Sequence, residues 1–313
     1  MTSDLGACVL IVGEETDPHV EAVAALLESA LTVVIDAESL SSRPYLLSAD
    51  GFEVEGLAGP FRSGRARAWM RRLAPADWGH GDAIGSHAAV AQAAAVSLIA
   101  GIARVPGIDW LTPIDPLLIC ESKLLQIRIA DRLGIATPRT VVTNKVDTAV
   151  RELGHNVVIK PLGPGHFTTS DGTPAVVYAT AVDLLSPDFQ DLGPTPFLLQ
   201  ERITASTHLR VVTVRGQCWV AELDADSVPL DWRAEEAAHS SFRATYGTHD
   251  TVAKAAARLA DDLGLGYSSQ DWILTPSGDE VLLDVNPAGQ WLFLPEPIAS
   301  AVSAAIASWL NGG

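Results

Sequence analysis

Residues 270–291 read QDWILTPSGDEVLLDVNPAGQW. Two apolar runs, 271–275 and 280–286, flank Pro276-Ser277-Gly278-Asp279. Turn chemistry between apolar runs predicts a hairpin. A four-residue loop pairs Thr275 with Glu280, Leu274 with Val281 and Asp271 with Asp284. Side chains alternate faces along a strand, so Asp271, Asp284 and Asn286 then share one face. Like charges directly opposite on paired strands repel. Two acids and an amide converging on one face make sense around a hard cation such as Mg²⁺, which takes oxygen ligands. The competing reading is a bulge, or a turn of another length, that separates the acids along a solvated edge.

The bulk properties narrow the classes. The chain has 313 residues, 48% of them hydrophobic, which is enough for two or three packed units. A net charge of −17 argues against nucleic-acid or anionic-membrane binding. Cys8, Cys120 and Cys218 are scattered without CxxC spacing, so they read as small hydrophobes in a reducing compartment. The N-terminus lacks a basic region ahead of its short apolar run and reads as a first strand, not a signal peptide. The apolar stretch 88–103 is broken by Gln92, Ser97 and Gly101 and reads as a buried helix, not a membrane span. The chain is expected to be cytoplasmic.

Along the chain, a strand at Cys8–Val12, a helical pattern at 20–29 and a strand at 31–36 predict an open α/β sheet. Only Gly13 sits in the first turn, so no GxGxxG dinucleotide fingerprint is present. Phe52 begins a short strand pair. Arg62, Arg65, Arg67, Arg71 and Arg72 make a local positive island. It fits an anionic partner, or equally a solvated edge paired with neighbouring acids. A long helix is expected over 83–103, and the Pro-rich 106–116 reads as a turn and domain boundary. Ser122 caps a predicted helix over 123–133 that Gly134 closes. The strand 156–161 ends on Lys160 and runs into a Gly/Ser/Thr loop, 162–174. Backbone N–H groups and a lysine suit a phosphate, although an ordinary hairpin loop with a surface lysine explains the same residues. Strands over 197–203, 209–214 and 218–223 follow, the last two joined through Gly216. A helix over 251–263 and a final Ala-rich helix over 297–310 frame the opening hairpin. No GxSxG occurs, and the eight histidines do not cluster at metal spacing.

Taken in order, five elements resemble the ATP-grasp ligases: the Lys123 helix, the Lys160 strand with its loop, the strand ending Gln200-Glu201-Arg202-Ile203, the Arg210 strand, and the Asp271…Asp284-x-Asn286 hairpin. The resemblance covers roughly residues 105–313. It implies an α/β fold of the α+β ATP-grasp kind: a pre-ATP-grasp α/β domain (1–115), then central (116–200) and C-terminal (201–313) subdomains with ATP between them. Within that superfamily the chain is most similar to the graspetide, microviridin-type, peptide ligases. RAWMRR (67–72), SKLLQIRIADRLGIATPRTVVTN (122–144) and DVNPAGQW (284–291) carry this closer match, with DWR (231–233) in support.

The resemblance implies roles by position. Lys123 and Lys160 contact the ATP phosphates, and the 163–172 loop, with Gly163 and Gly165, closes over them. Gln200, Glu201 and the backbone of Ile203 meet the adenine. Asp271, Asp284 and Asn286 hold Mg²⁺. Arg210 faces the acyl phosphate and, with Lys160, is catalytic. Arg71, Arg72 and Arg233 are candidate substrate contacts. Two positions depart from the family pattern: Asp284 stands where Glu is usual, which leaves one or two metal ions open, and His208 replaces an acid that many relatives carry. The implied reaction activates Asp or Glu side chains of a ribosomal precursor peptide, leader plus core, as acyl phosphates. It closes ω-ester or ω-amide macrocycles. A homodimer is a further expectation. A RimK-like or dipeptide ligase adding a free amino acid remains open, as does an ATP-binding protein without turnover.

Overall fold

The first strand, β1 (Cys8–Val12), is followed by α1 (Pro18–Ala24) and β2 (Thr32–Ile35). A small antiparallel sheet comes next: β3 (Tyr45–Leu47), β4 (Phe52–Gly56) and β5 (Gly59–Arg62). The chain then returns through β6 (Ala66–Met70), α2 (His87–Ile102) and β7 (Ile108–Trp110). β1, β2, β6 and β7 form one parallel sheet in the order β2-β1-β6-β7, the open α/β sheet expected. The computed structural model describes residues 8–29, 31–56, 59–64, 66–74, 82–83, 85–162, 165–169, 173–187 and 196–313.

Three expectations in this region are corrected. The first helix ends at Ala24, not near residue 29. The second starts at His87, where the Ser86 hydroxyl accepts the Ala89 N–H, and among the described residues it buries only Ile99 and Ile102. It is therefore a half-covered helix, with His87, Val90 and Ser97 exposed beside several alanines that have little surface to hide. No helix of the described residues is long and apolar enough to cross a membrane. Finally, the 106–116 stretch is not merely a turn. Gly107 makes the turn at φ +84, Ile108–Trp110 joins the sheet as β7, and Pro113 leads into α3 (Ile114–Cys120).

The middle of the chain contains α4 (Lys123–Arg132), β8 (Thr140–Thr143), α5 (Val146–Leu153) and β9 (Asn156–Pro161). A ribbon of β10 (His166–Thr168) and β11 (Pro174–Val176) follows, then β12 (Thr180–Asp183) and β13 (Phe197–Glu201). β12, β9, β13 and β8 make an antiparallel sheet in that order. Its own small core holds Ala149, Leu153, Val157, Leu184 and Leu199.

The last third builds a five-stranded antiparallel sheet. Its elements are β14 (Thr207–Val214), β15 (Gln217–Asp224), the one-turn α6 (Glu236–His239), β16 (Arg243–Thr245), α7 (Asp250–Asp262), β17 (Tyr267–Leu274), β18 (Glu280–Asn286) and α8 (Glu296–Asn311). The strand order is β16-β15-β14-β17-β18. Both faces of this sheet share core with the N-terminal unit. Leu10, Val12 and Ile102 pack with Leu209, Trp272 and Leu259 on one side. Val9, Trp69 and Leu111 pack with Val212, Trp291 and Ile306 on the other. The β8–β13 unit thus stands on a separate core, while the first and last thirds are joined by two.

A buried ionic cluster ties the first and last thirds together. Asp17 caps α1: its Oδ1 accepts the His19 backbone N–H at 2.8 Å and lies 2.8 Å from His19 Nδ1. Arg71 Nε lies 3.1 Å from Asp17 Oδ2. Burial alone raises the Asp17 carboxyl, but the His19 hydrogen bonds and the Arg71 charge outweigh it and hold it at about 2. Burial lowers the His19 imidazole below its ordinary 6.5. Both groups bind fewer protons folded than unfolded. Their contribution is complete above about pH 6.5, falls as His19 is forced to charge, and falls again from about 3.8 towards 2 as Asp17 protonates. The Asp17 share is about 2 kcal/mol. Urea unfolding of the wild type is expected to lose stability between about pH 7 and 5 more steeply than His19→Gln. Parallel pH curves for the two proteins contradict this.

Candidate active site

The β17–β18 hairpin pairs the two acids as expected, although it contains both the longer turn and the bulge of the competing reading. Leu274 pairs with Glu280, Ile273 with Val281 and Trp272 with Leu282, so the turn spans 275–279 and is one residue longer than expected. Thr275 makes the difference: its N–H bonds the Asp279 carbonyl, its hydroxyl accepts the Asp279 N–H, and Gly278 turns at φ +88. The register then shifts, leaving Leu283 as an extra residue, and Asp271 faces Asp284 after all. The bulge cancels the longer turn. On the next strand Arg210 faces Asp271, so Arg210, Asp271 and Asp284 form one row across three strands.

Each charge in the row has a fixed neighbour. Arg210 Nη1 donates to Asp271 Oδ1 at 2.8 Å, and its Nη2 donates to the Gln290 carbonyl at 3.2 Å. Its guanidinium lies 6.0 Å from the Trp232 ring and 5.8 Å from Phe293. The buried Arg210 Nε has no hydrogen-bond partner among the described residues. Asp284 Oδ1 accepts from Lys123 Nζ at 2.5 Å. Burial alone raises the Asp284 carboxyl, but Lys123 and Lys160 outweigh it and hold it below the carboxylate range. Lys160 Nζ lies 3.5 Å from the carbonyl of the bulged Leu283, and burial lowers the lysine despite Asp284 nearby.

α4 is held in register by Gln126, one turn from Lys123. The Gln126 amide donates to the Val285 carbonyl at 2.8 Å and accepts the Val285 N–H at 3.0 Å. It thereby acts as a strand partner for the outer edge of β18, satisfying groups that would otherwise stay unpaired. The predicted Ser122 cap is in place, although its side chain makes no cap hydrogen bond, and Gly134 takes the left-handed conformation after the helix.

At the other end, β13 stops at Glu201 instead of Ile203. Gln200 is buried and donates to the Thr140 hydroxyl at 3.0 Å. The Glu201 carboxylate is already committed: Arg139 donates to it from its backbone N–H and its Nε, both at 2.8 Å. Burial opposes ionisation there, and the Arg139 hydrogen bonds still lower the carboxyl. The backbone of 201–203 is therefore what this segment offers a ligand.

Lys123, Lys160, Gly165, Gln200, Glu201, Ile203, Arg210, Asp271, Asp284 and Asn286 all line a single cleft of about 710 Å³. Arg72 and Arg233 line it too. Gly163 lies outside the described residues. Arg71 does not reach the cleft. It is 2% exposed, paired with Asp17, and donates to the Ala288 carbonyl, so its expected role as a substrate contact is withdrawn. Arg65 lies outside the described residues, and other arginines of the island have partners within the chain. Arg62 pairs with Glu53 at 3.4 Å, and Arg67 donates to the Trp309 carbonyl while its guanidinium lies 5.2 Å from the Trp309 ring. Only Arg72 among the described arginines of the run lines the cleft.

The acid pair suits a hard cation. Among the described residues, the second oxygens of Asp271 and Asp284 accept no hydrogen bond, and Asn286 Oδ1 accepts only the Ala288 N–H at 2.9 Å. No group of three His, Cys, Asp or Glu side chains gathers among the described residues, so the donor set is two acids and one amide. Such an all-oxygen set fits Mg²⁺.

No family model matches the sequence, and no curated protein matches it. Solved structures do match in shape. The macrocyclase MdnC bound with precursor peptide MdnA, from Microcystis aeruginosa MRC, superposes with TM-score 0.81 at 21% identity, covering 98% of this chain and 100% of that one. A Chryseobacterium gregarium RiPP-associated ATP-grasp ligase, in complex with ADP and a leader and core peptide, gives TM-score 0.81 at 21% identity over 97% and 96% of the two chains. The fold is the ATP-grasp fold. The ATP-grasp ligase PsnB, complexed with minimal precursor, Mg and ADP, matches at TM-score 0.73 and 18% identity over 96% of each chain.

Within this ATP-grasp architecture two features escaped the sequence reading. Asp231 is buried and binds Arg233 Nε at 2.8 Å and Nη2 at 2.7 Å. Its Oδ2 also accepts the Ala179 N–H at 3.0 Å, which fastens the segment after β11 to the C-terminal sheet. Burial opposes its ionisation, but Arg233 keeps the carboxyl low. Trp232, His239, Phe242 and Phe293 stack with centroids 5.0–5.7 Å apart under Arg210. Of these residues the sequence offered only the DWR triplet as a signal. His208, noted as a departure, lines the cleft two residues from Arg210, and burial lowers its imidazole despite Asp271 and Asp231.

Proposed function

We propose that this chain is an ADP-forming ligase that joins Asp or Glu side chains of a ribosomally made precursor peptide to hydroxyls or amines of the same peptide. The observation that carries the reading is the convergence of Lys123, Lys160, Arg210, Asp271, Asp284 and Asn286 on one cleft of an ATP-grasp fold. The neighbours bound to precursor peptides supply the substrate class. The reading takes 1–115 as a platform domain and ATP as bound between 116–200 and 201–313.

A carboxylate is a poor acyl donor because oxide is a poor leaving group. Transfer of the γ-phosphoryl group from ATP gives an acyl phosphate and ADP. Attack by a hydroxyl or amine then forms the ester or amide and releases phosphate. Phosphoryl transfer is mostly positioning and charge neutralisation. Lys123 and Lys160 supply cationic donors beside the acid pair, and the 201–203 backbone receives the adenine. Mg²⁺, held by Asp271, Asp284 and Asn286, would neutralise the phosphate charge. Arg210 presents a guanidinium fixed on two sides, suited to the developing oxyanion. Arg72 and Arg233 are taken as contacts to the acidic peptide.

The test is mass spectrometry of a short Thr/Ser- and Asp/Glu-rich peptide encoded beside the gene, incubated with the enzyme, ATP and Mg²⁺. Loss of one water per bond is expected. An added free amino acid assigns the RimK-like reaction instead. ATP hydrolysis without any change in peptide mass contradicts the cyclase.

A further inference from the structure

The loop after β18 has no regular secondary structure, yet its backbone is bonded residue by residue. The Ala288 carbonyl accepts from Arg71 Nη1. The Gly289 carbonyl accepts the Tyr267 hydroxyl at 2.8 Å. The Gln290 carbonyl accepts Arg210 Nη2 at 3.2 Å. The Trp291 N–H points at His19 Nε2 at 3.3 Å. The last bond fixes the tautomer. A carboxylate oxygen 2.8 Å from Nδ1 requires the proton there, so Nε2 is left as the acceptor.

Two of these four partners, Arg71 and His19, come from the N-terminal unit, and both rest on Asp17. The loop in turn lies against Arg210. A Cβ added at Gly289 would stand 2.6 Å from Ser269 Cβ and 3.0 Å from Arg210 Nη2. Arg210 has two anchoring acceptors, Asp271 in the neighbouring strand and Gln290 in this loop. The first is fixed by the sheet, so the loop decides the second.

We propose that Arg71 and His19 are positioning residues that hold the 288–291 backbone over Arg210, so that the N-terminal unit sets where the guanidinium sits in the cleft. Its catalytic consequence rests on the proposed ligase reaction; the clamp itself does not. Removing the clamp leaves the lysines and the 201–203 backbone untouched, so nucleotide binding persists while the acyl-transfer geometry loosens.

The experiment compares wild type, Arg71→Met, His19→Ala and His19→Gln. Gln can return an acceptor to the Trp291 N–H, and Ala cannot. Hydrogen exchange at the 288–292 amides is expected to accelerate in Arg71→Met and His19→Ala, while β14 and β17 keep their protection. The crystal structure of Arg71→Met, or of His19→Ala if the first does not fold, is expected to show Gln290 and Arg210 displaced. With the peptide encoded beside the gene, kcat for ADP formation falls by about a hundredfold and KM for ATP changes by less than about twofold. His19→Gln recovers most of the loss seen in His19→Ala. Unchanged loop exchange with an unmoved Arg210 overturns the clamp. A loosened loop with unchanged kcat overturns its functional use. If wild type forms no ADP with the peptide, the ligase reading fails, while exchange and the position of Arg210 still decide the clamp.

Discussion

Lys160→Ala and Asp284→Ala each lower ATP-dependent product formation by about three orders of magnitude, with both purified variants still folded. The two residues face each other across the cleft from different sheets, Lys160 at the end of β9 and Asp284 in β18. Lys160 is a half-buried cation whose one hydrogen-bond acceptor among the described residues is a carbonyl at 3.5 Å, a weak anchor for a full charge. That arrangement suits an anion arriving in the cleft better than it suits the protein alone. Losing it removes a charged donor from a phosphoryl group, where such donors are worth about 10²–10³ in rate. In the proposed reaction Asp284 would serve from the other side as an oxygen ligand for the cation. Its loss frees Lys123, whose side chain is 27% exposed and can rehydrate, so stability falls little. Circular dichroism melts and a coupled ADP assay separate folding from turnover. Full turnover in either folded variant overturns these assignments. Asp284→Glu is the companion variant, since the longer acid extends the carboxylate's reach toward a second metal ion.

The hairpin shows how far local patterning reaches. Facing acids were legible because period-2 alternation is insensitive to an error that is cancelled nearby. The extra turn residue and the Leu283 bulge were not legible, because they depend on which of Thr275, Ser277 and Asp279 bond one another. Lys123 and Lys160 were legible for a related reason: each begins or ends an element whose period is plain in the sequence. Arg71 was misread because a run of like charges looks like surface until its partners are known. Asp17 lies 54 positions before Arg71, and Ala288 lies 217 after it. No local pattern encodes that meeting. Asp231 was missed as a site residue in the same way. Its Ala179 partner lies in a different sheet's connection, so its burial is decided only when the two units close on each other.

Arg210→Lys should be nearly as damaging as Arg210→Ala, and this is the sharper test of the acyl-transfer end of the cleft. A guanidinium presents fixed, coplanar donors. Here Nη1 bonds Asp271 and Nη2 bonds Gln290, which holds the planar fork in one orientation. A lysine keeps the charge but offers a point donor on a flexible stem, so it can satisfy Asp271 and still leave the oxyanion without a directed hydrogen bond. The ring faces of Trp232 and Phe293 also hold a planar cation better than a tetrahedral one. The expected loss is about 10²–10³ in kcat for either variant, with KM for ATP little changed, because the proposed adenine and phosphate contacts are elsewhere. Hydroxylamine trapping then locates the block. If Arg210 serves mainly the second step, Arg210→Lys still forms the acyl phosphate, and the peptide hydroxamate accumulates while cyclised product does not. Cyclised product from Arg210→Lys at the wild-type rate means that charge alone suffices and that the oriented guanidinium has no part in the transfer.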